Sequence, residues 1–269
     1  MASSAAIELD HVALAAEHLS LLWPRYAGDL GGRWVGGSIS PGFKFGQVAF
    51  ANGMKVEGLH PFQPEDNAFL RRFLDASGPG PHHITFKVPD LAHEIARATA
   101  AGLPPVSVNL DDPDWKEAFL HPKAACGIVV QLAQSSGGDL PPEAPEAPEV
   151  PVPEPRVTPP ASLDRIVQLV ADLSLARRVF VDLLGGRPEH EDATTLDLAW
   201  PGPGRLRLTV PVPGSPEAGW MGTRSGRLGH LAFTVADPQD VPGAVPLSDD
   251  VYEVAPAHNL GVRLRLTRA

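Results

Sequence analysis

Pro81-His82-His83-Ile84-Thr85-Phe86-Lys87-Val88 decides how the rest of the chain is read. Apolar Ile84, Phe86 and Val88 alternate with His83, Thr85 and Lys87, a period of two that predicts a β-strand with one apolar and one polar face. His83 falls on the polar face. Successive strand residues point to opposite sides, so only one of the two adjacent histidines can reach a given ion, and other ligands must come from other strands. That assigns His82 to the outer face.

Upstream, residues 6–14 alternate into a strand carrying His11, and a helix is expected over 17–30, closed by Gly31-Gly32, with Pro24 marking a kink or a late start. Strands are expected at 47–52 and 54–59, the latter followed by His60-Pro61, and a short helix at 67–76. Downstream of His83 come a helix at 91–101 ending at Gly102 and strands at 115–120 and 127–133. The order β-α-β-β-β thus occurs twice within residues 6–134.

From 135 to 161 hydrophobic periodicity stops. The run Pro-Pro-Glu-Ala-Pro-Glu-Ala-Pro-Glu-Val-Pro-Val-Pro-Glu-Pro reads as an extended, mobile linker. Beyond it the first part repeats in weaker form. Leu9-Asp10-His11 returns as Leu163-Asp164-Arg165 and Gly31-Gly32-Arg33 as Gly185-Gly186-Arg187, both 154 residues later. His82–Val88 returns as Gly229–Val235, and the segment from Gly127 to Leu132 as Gly261 to Leu266. The division that follows is a domain at 6–134, a linker at 135–161 and a shorter, degenerate copy at 162–269.

The 269 residues carry a net charge of −10, with 43% hydrophobic and 20% charged residues. Such a composition predicts globular domains, and the acidic balance without a dense Lys/Arg run argues against nucleic acid or an anionic membrane as partner. The single cysteine, Cys126, excludes an internal disulfide framework and fits a reducing, cytoplasmic setting. No export signal is read at the N-terminus. Lying in a turn with no flanking base, Cys126 is not expected to act as a nucleophile. His121 is assigned to shaping the turn before Pro122, and His93 to a helix surface.

Leu9-Asp10-His11-Val12-Ala13, the His82–Val88 strand and the segment from His121 to Leu132, set in a doubled βαβββ order, resemble the vicinal oxygen chelate superfamily of glyoxalases, bleomycin-resistance proteins and dioxygenases. Residues 6–134 are most similar to its methylmalonyl-CoA epimerase branch. The resemblance implies an α+β fold of two tandem domains, each of paired βαβββ units forming an incomplete barrel, the second degenerate. It also implies a divalent metal held by His11, Glu57, His83 and Gln131, the ion being cobalt, zinc, nickel, manganese or iron. Gln131 departs from the family, which mostly carries glutamate there. An amide offers a carbonyl donor but no base, so Glu57 becomes the expected catalytic base, ahead of Glu117 and His60. Glutamate in place of Gln131 is expected to tighten metal binding.

The implied activity is that of an epimerase, isomerase or lyase that chelates neighbouring oxygens of a small substrate, such as an acyl-CoA or an oxo or hydroxy acid, and stabilises an enolate. The alternative is a protein that sequesters a small molecule, as bleomycin-resistance members do. A homodimer is left open. In the second domain the four ligand positions read Arg165, Arg207, His230 and Arg265, and arginine cannot coordinate a cation. Either Arg165, Arg207 and Arg265 form an anion pocket, or they pair with carboxylates such as Asp164, Asp197 or Glu191 and fill a dead site.

Overall fold

A computed structural model describes residues 6–136 and 153–269. Sixteen described strands build two eight-stranded sheets with few helices, an α+β fold in two tandem copies, the first sheet curled into a half-barrel.

In the first copy β1 (Glu8–Ala15) is followed by a single 3₁₀ turn at Leu19–Leu21 and a π-helical turn at Pro24–Asp29. The helix expected over 17–30 is therefore broken. Pro24 cannot donate the hydrogen bond an interior position needs and instead opens the second turn, which ends at Gly31 with φ +70°. β2 (Arg33–Ser40), β3 (Phe43–Ala49) and β4 (Lys55–Pro61) form an antiparallel run, and α1 (Phe69–Ser77) leads out of it. The second βαβββ unit is β5 (Gly80–Lys87), α2 (Leu91–Ala100), β6 (Val106–Asn109), β7 (Trp115–Leu120) and β8 (Val129–Ser135). Asp90 caps α2 by accepting from the His93 amide.

The first sheet runs β2-β3-β4-β1-β5-β8-β7-β6. Its four central strands, β4, β1, β5 and β8, are those that carry Glu57, His11, His83 and Gln131. The second copy repeats this order: β9 (Ser162–Val170), α3 (Leu173–Arg177) continuing as a π-helical turn to Leu183, β10 (Arg187–Glu191), β11 (Thr195–Ala199), β12 (Arg205–Thr209), α4 (Pro216–Met221), β13 (Gly226–Val235), β14 (Ala244–Pro246), β15 (Val251–Val254) and β16 (Leu264–Arg268). The second sheet runs β10-β11-β12-β9-β13-β16-β15-β14. In place of a helix equivalent to α2 stands one 3₁₀ turn at Pro238–Asp240, as the prolines there require.

The chain packs as two compact units that do not follow the sequence division. One takes the described residues of Met1–His11, His83–Gly138 and Arg165–Gly229; the other takes those of Val12–His82, Asp139–Asp164 and His230–Ala269. In the first, Phe86 stacks edge-on against Trp200, with ring centroids 5.0 Å apart, and Gln168 donates to the Cys126 carbonyl at 2.8 Å. In the second, Phe50 meets Phe233 at 4.9 Å, and Asn259 donates to the Tyr26 hydroxyl at 3.0 Å. Most of the tract expected as a linker, 137–152, lies outside the described residues. Its far end is fastened: Arg156 pairs with Asp29 at 3.0 Å, and the Ala161 amide donates to the Leu30 carbonyl at 2.9 Å. No helix among the described residues is long and apolar enough to cross a membrane.

Candidate metal centre

β5 alternates as its sequence predicts. Ile84 and Phe86 are fully buried on one face, and His83 and Thr85 lie on the other. His11 on β1 shares that second face. The His11 and His83 rings meet edge-on at 5.9 Å, and each histidine offers one nitrogen within 4.8 Å of the other and of a carboxylate oxygen of Glu57 on β4. All three side chains are buried, at 1%, 5% and 7% exposure for His11, His83 and Glu57.

Their neighbours fix their orientation. Asp10 Oδ2 lies 2.7 Å from His11 Nδ1 and orients the ring, and a proton held between them would make Nε2 the nitrogen offered to a metal. Gln47, directly across the β3–β4 ladder, donates from Nε2 to Glu57 Oε1 at 2.9 Å. Two imidazoles and a carboxylate suit a borderline divalent ion. Bonds of about 2.0–2.2 Å to a tetrahedral ion put donors roughly 3.3–3.6 Å apart, so a trio within 4.8 Å of one another would draw in by about an ångström to share one. The residues present therefore fit a divalent metal.

Gln131 on β8 is buried beside them, but its register is that of Thr85, not His83. Its Oε1 accepts from the Thr85 hydroxyl at 2.6 Å and its Nε2 donates to Glu117 on β7 at 2.7 Å. Thr85 Oγ1 also lies 2.9 Å from His11 Nε2. A glutamate at 131 would set its carboxylate against that of Glu117, which opposes the gain in metal affinity expected of that change.

His82 is not on a solvent face. Its ring packs against Phe69 and Phe73 of α1, with centroids 5.5 and 4.9 Å away, and burial pushes its pKa down to about 4 against the opposing pull of Glu57. His60, three residues from Glu57, faces the other way and stacks on His18 at 4.9 Å. His121 Nδ1 accepts from the Lys123 amide at 3.2 Å and shapes its turn. Cys126 is buried with its thiol pushed up to about 12 by desolvation, which keeps it protonated.

In the second sheet the same ladder positions carry a different chemistry. Where Gln47 faces Glu57, Asp197 faces Arg207, which grips it through two hydrogen bonds of 2.6 and 2.7 Å, while Arg165 approaches at 3.4 Å. Arg265 lies 3.6 Å and Arg263 3.4 Å from Glu253. Each of Arg165, Arg207 and Arg265 thus has a carboxylate. Asp197 was among the expected partners; Glu253, paired with Arg265 across β15–β16, was not.

Sequence reasoning missed Asp10, Gln47 and Thr85. Thr85 stands two residues from His83 on the same face and Asp10 next to His11, so both were within reach of the strand period; Gln47 needed the β3–β4 register.

A family model described as the Glyoxalase/Bleomycin resistance protein/Dioxygenase superfamily matches residues 10–119. The sequence matches no curated protein. Among solved structures, a hypothetical protein from Staphylococcus aureus is similar over 98% of this chain and 100% of its own, with a TM-score of 0.61 at 11% identity, a likeness of fold through both copies. Methylmalonyl-CoA epimerase from Mycobacterium tuberculosis is 24% identical over 51% of this chain and 94% of its own, with a TM-score of 0.44. The Streptomyces coelicolor epimerase in complex with 2-nitronate-propionyl-CoA is 22% identical over 50% of this chain and 100% of its own, with a TM-score of 0.43.

Proposed function

From residues 10–119, which match a family model of the glyoxalase/bleomycin resistance protein/dioxygenase superfamily, we propose a metal-dependent enzyme that binds a small substrate through two neighbouring oxygens and moves a proton at the carbon beside them. The observation that carries the reading is the buried trio His11, Glu57 and His83, whose donor atoms converge to within 4.8 Å. A divalent ion held there supplies Lewis acidity, stabilising negative charge as it develops on a substrate oxygen.

The chain's own residues do the rest. Asp10 orients the His11 ring through Nδ1, and Gln47 fixes the Glu57 carboxylate by its Oε1. Glu57 is the anionic member of the trio and is our candidate for taking the substrate proton; it lies 7% exposed, where water competes poorly for it. Epimerase, isomerase and lyase outcomes differ in where that proton returns, and an acyl-CoA or an oxo or hydroxy acid has the required pair of oxygens. The anion role for Arg165, Arg207 and Arg265 is not part of this reading, because carboxylates already engage them.

A second reading is a small-molecule-sequestering protein. The observation favouring it is Gln131, a neutral amide with both ends engaged, which provides no second base. Isotope exchange separates the two: an enzyme washes deuterium from D₂O into the carbon next to the carbonyl of a bound thioester or oxo acid, and a binder does not. Alanine at His11 or His83 should abolish stoichiometric metal measured by elemental analysis of the purified protein. Full metal content in both variants would sink the assignment.

A further inference from the structure

Gln47 donates to Glu57 across the β3–β4 ladder, so the odd-numbered residues of both strands share the face that carries Glu57. The next pair along that face is Phe45 and Leu59, and the pair beyond is Phe43 and Pro61. From α1, Phe69 and Phe73 pack against the same apolar cluster, in which Leu59, Leu70 and Leu74 are buried. The Phe43 ring meets Phe69 edge-on at 5.3 Å and Phe45 at 6.1 Å. All of these residues lie in one compact unit with Glu57.

The core phenylalanines of this chain are closed off: Phe50, Phe86, Phe180 and Phe233 are 4%, 0%, 0% and 1% exposed. Phe43, Phe45, Phe69 and Phe73 are only partly buried. Aromatic surface left open beside a polar cluster is unfavourable until something apolar covers it. Nor does the fold require these rings. The second sheet has the same strand order, and there Asp197 faces Arg207 where Gln47 faces Glu57; one pair further along, Thr195 faces Thr209 where Phe45 faces Leu59. α4, at the place of α1, buries no residue. The aromatic wall and the Glu57 carboxylate are therefore kept together in one copy and replaced together in the other.

We propose that the substrate carries an aromatic substituent, whose ring is received by Phe43, Phe45, Phe69 and Phe73 beside the oxygens that the metal binds. The proposal rests on the metal-dependent reading above and narrows its substrate to aryl-substituted oxo or hydroxy acids. Successive residues on one face of a strand are about 7 Å apart, which is the step from Glu57 to the Phe45–Leu59 pair. A methyl group next to the chelated oxygens is too short to span that step. A benzyl group spans it and offers a flat ring to the edge-on packing these phenylalanines already adopt.

Isothermal titration of the Zn²⁺-loaded full-length protein with phenyllactate and with lactate tests this, since the two acids share their oxygens and differ only in the ring. Phenyllactate should bind at least about tenfold more tightly, as expected for one aromatic group entering an apolar pocket. Phe45→Thr, which gives this position the residue of the second copy, should reduce that ratio to less than about threefold. Phe69→Leu keeps apolar volume on α1 but removes the ring, and should lower the ratio too, so that misfolding of one variant leaves the other to decide. Equal affinities of the two acids for the wild type overturn the proposal, as does an unchanged ratio in the variants. A second readout needs no metal: in the metal-free protein with labelled phenylalanine rings, toluene should show intermolecular NOEs to Phe45 and Phe69, and their absence also overturns the proposal. Failure of the wild type to take up Zn²⁺ would instead remove the metal reading, while the toluene contacts still decide whether the wall receives an aromatic ring.

Discussion

Asp197 holds two guanidinium groups at once, Arg207 through a bidentate pair and Arg165 at 3.4 Å. Burial alone would raise its pKa, but the Arg207 hydrogen bonds and the charges of both arginines outweigh it and hold the carboxyl below its usual value. A depressed folded-state pKa means stability that is present above the unfolded value, near 3.8, and lost as pH falls through the folded one. Asp197→Asn should therefore cost about 1–2 kcal/mol at neutral pH, less than for a fully buried pair because the arginines reach water. Chemical denaturation of both proteins across pH 2 to 7 measures it: the difference should shrink at the acid end, and a constant difference would count against the ion pairs as its source. At this scale the candidate site was partly legible. His11, Glu57 and His83 follow from order, strand period and family resemblance. The direction of the Gln131 amide and the grip of Gln47 on Glu57 do not, because both depend on which residue stands opposite in a neighbouring strand.

Among the elements, β2 escapes a reading by propensity. Its sequence Arg-Trp-Val-Gly-Gly-Ser-Ile-Ser carries two glycines, which are depleted in strands. The fold needs small residues there for a reason the pattern does not express. A Cβ on Gly37 would lie 2.5 Å from the Phe45 carbonyl oxygen and 2.9 Å from the Trp34 ring, and one on its neighbour Gly46 of β3 would lie 2.5 and 2.6 Å from two atoms of that ring and 3.1 Å from Trp23, which is itself 1% exposed. Trp34 and Trp23 meet edge-on at 5.7 Å, so neither ring can retreat without losing the other. Gly46→Ala should cost roughly 1–3 kcal/mol by overpacking, read as a fall of several degrees in Tm, whereas unchanged stability would mean that Trp34 has room to move. Elsewhere the signals agree and the reading is close. β7 spans the expected 115–120, and α2, with an Asp cap before it and Gly102 after it, spans 91–100 against an expected 91–101. Where two local rules conflict, as at Pro24 inside an apolar helical period, the covalent constraint wins and the helix divides.

For the whole molecule, periodicity identifies which strand faces are apolar but not what covers them. Phe86 and Phe50 both read as core residues, yet Phe86 meets Phe180 and Trp200, and Phe50 meets Phe233, all from the second copy. Backbones also approach closely: a Cβ on Gly226 would collide with the Cys126 carbonyl, and one on Gly261 with the Pro79 carbonyl. Each compact unit therefore combines a βαβββ unit of one copy with one of the other, held by aromatic stacking, backbone contact and hydrogen bonds such as Gln168 to Cys126 and Asn259 to Tyr26. Buried aromatic side chains of this kind each cost about 3–5 kcal/mol when truncated to alanine, far more than the entropy a covalent connection contributes to holding the copies together. Cutting the chain should accordingly not separate them. With a specific protease site inserted between residues 137 and 152 and cleaved, the two fragments should co-elute in gel filtration and unfold in one calorimetric transition, with Tm now dependent on protein concentration as for any bimolecular complex. Elution of two independent folded fragments would show that each copy completes its own core, and that the contacts across copies are incidental to stability.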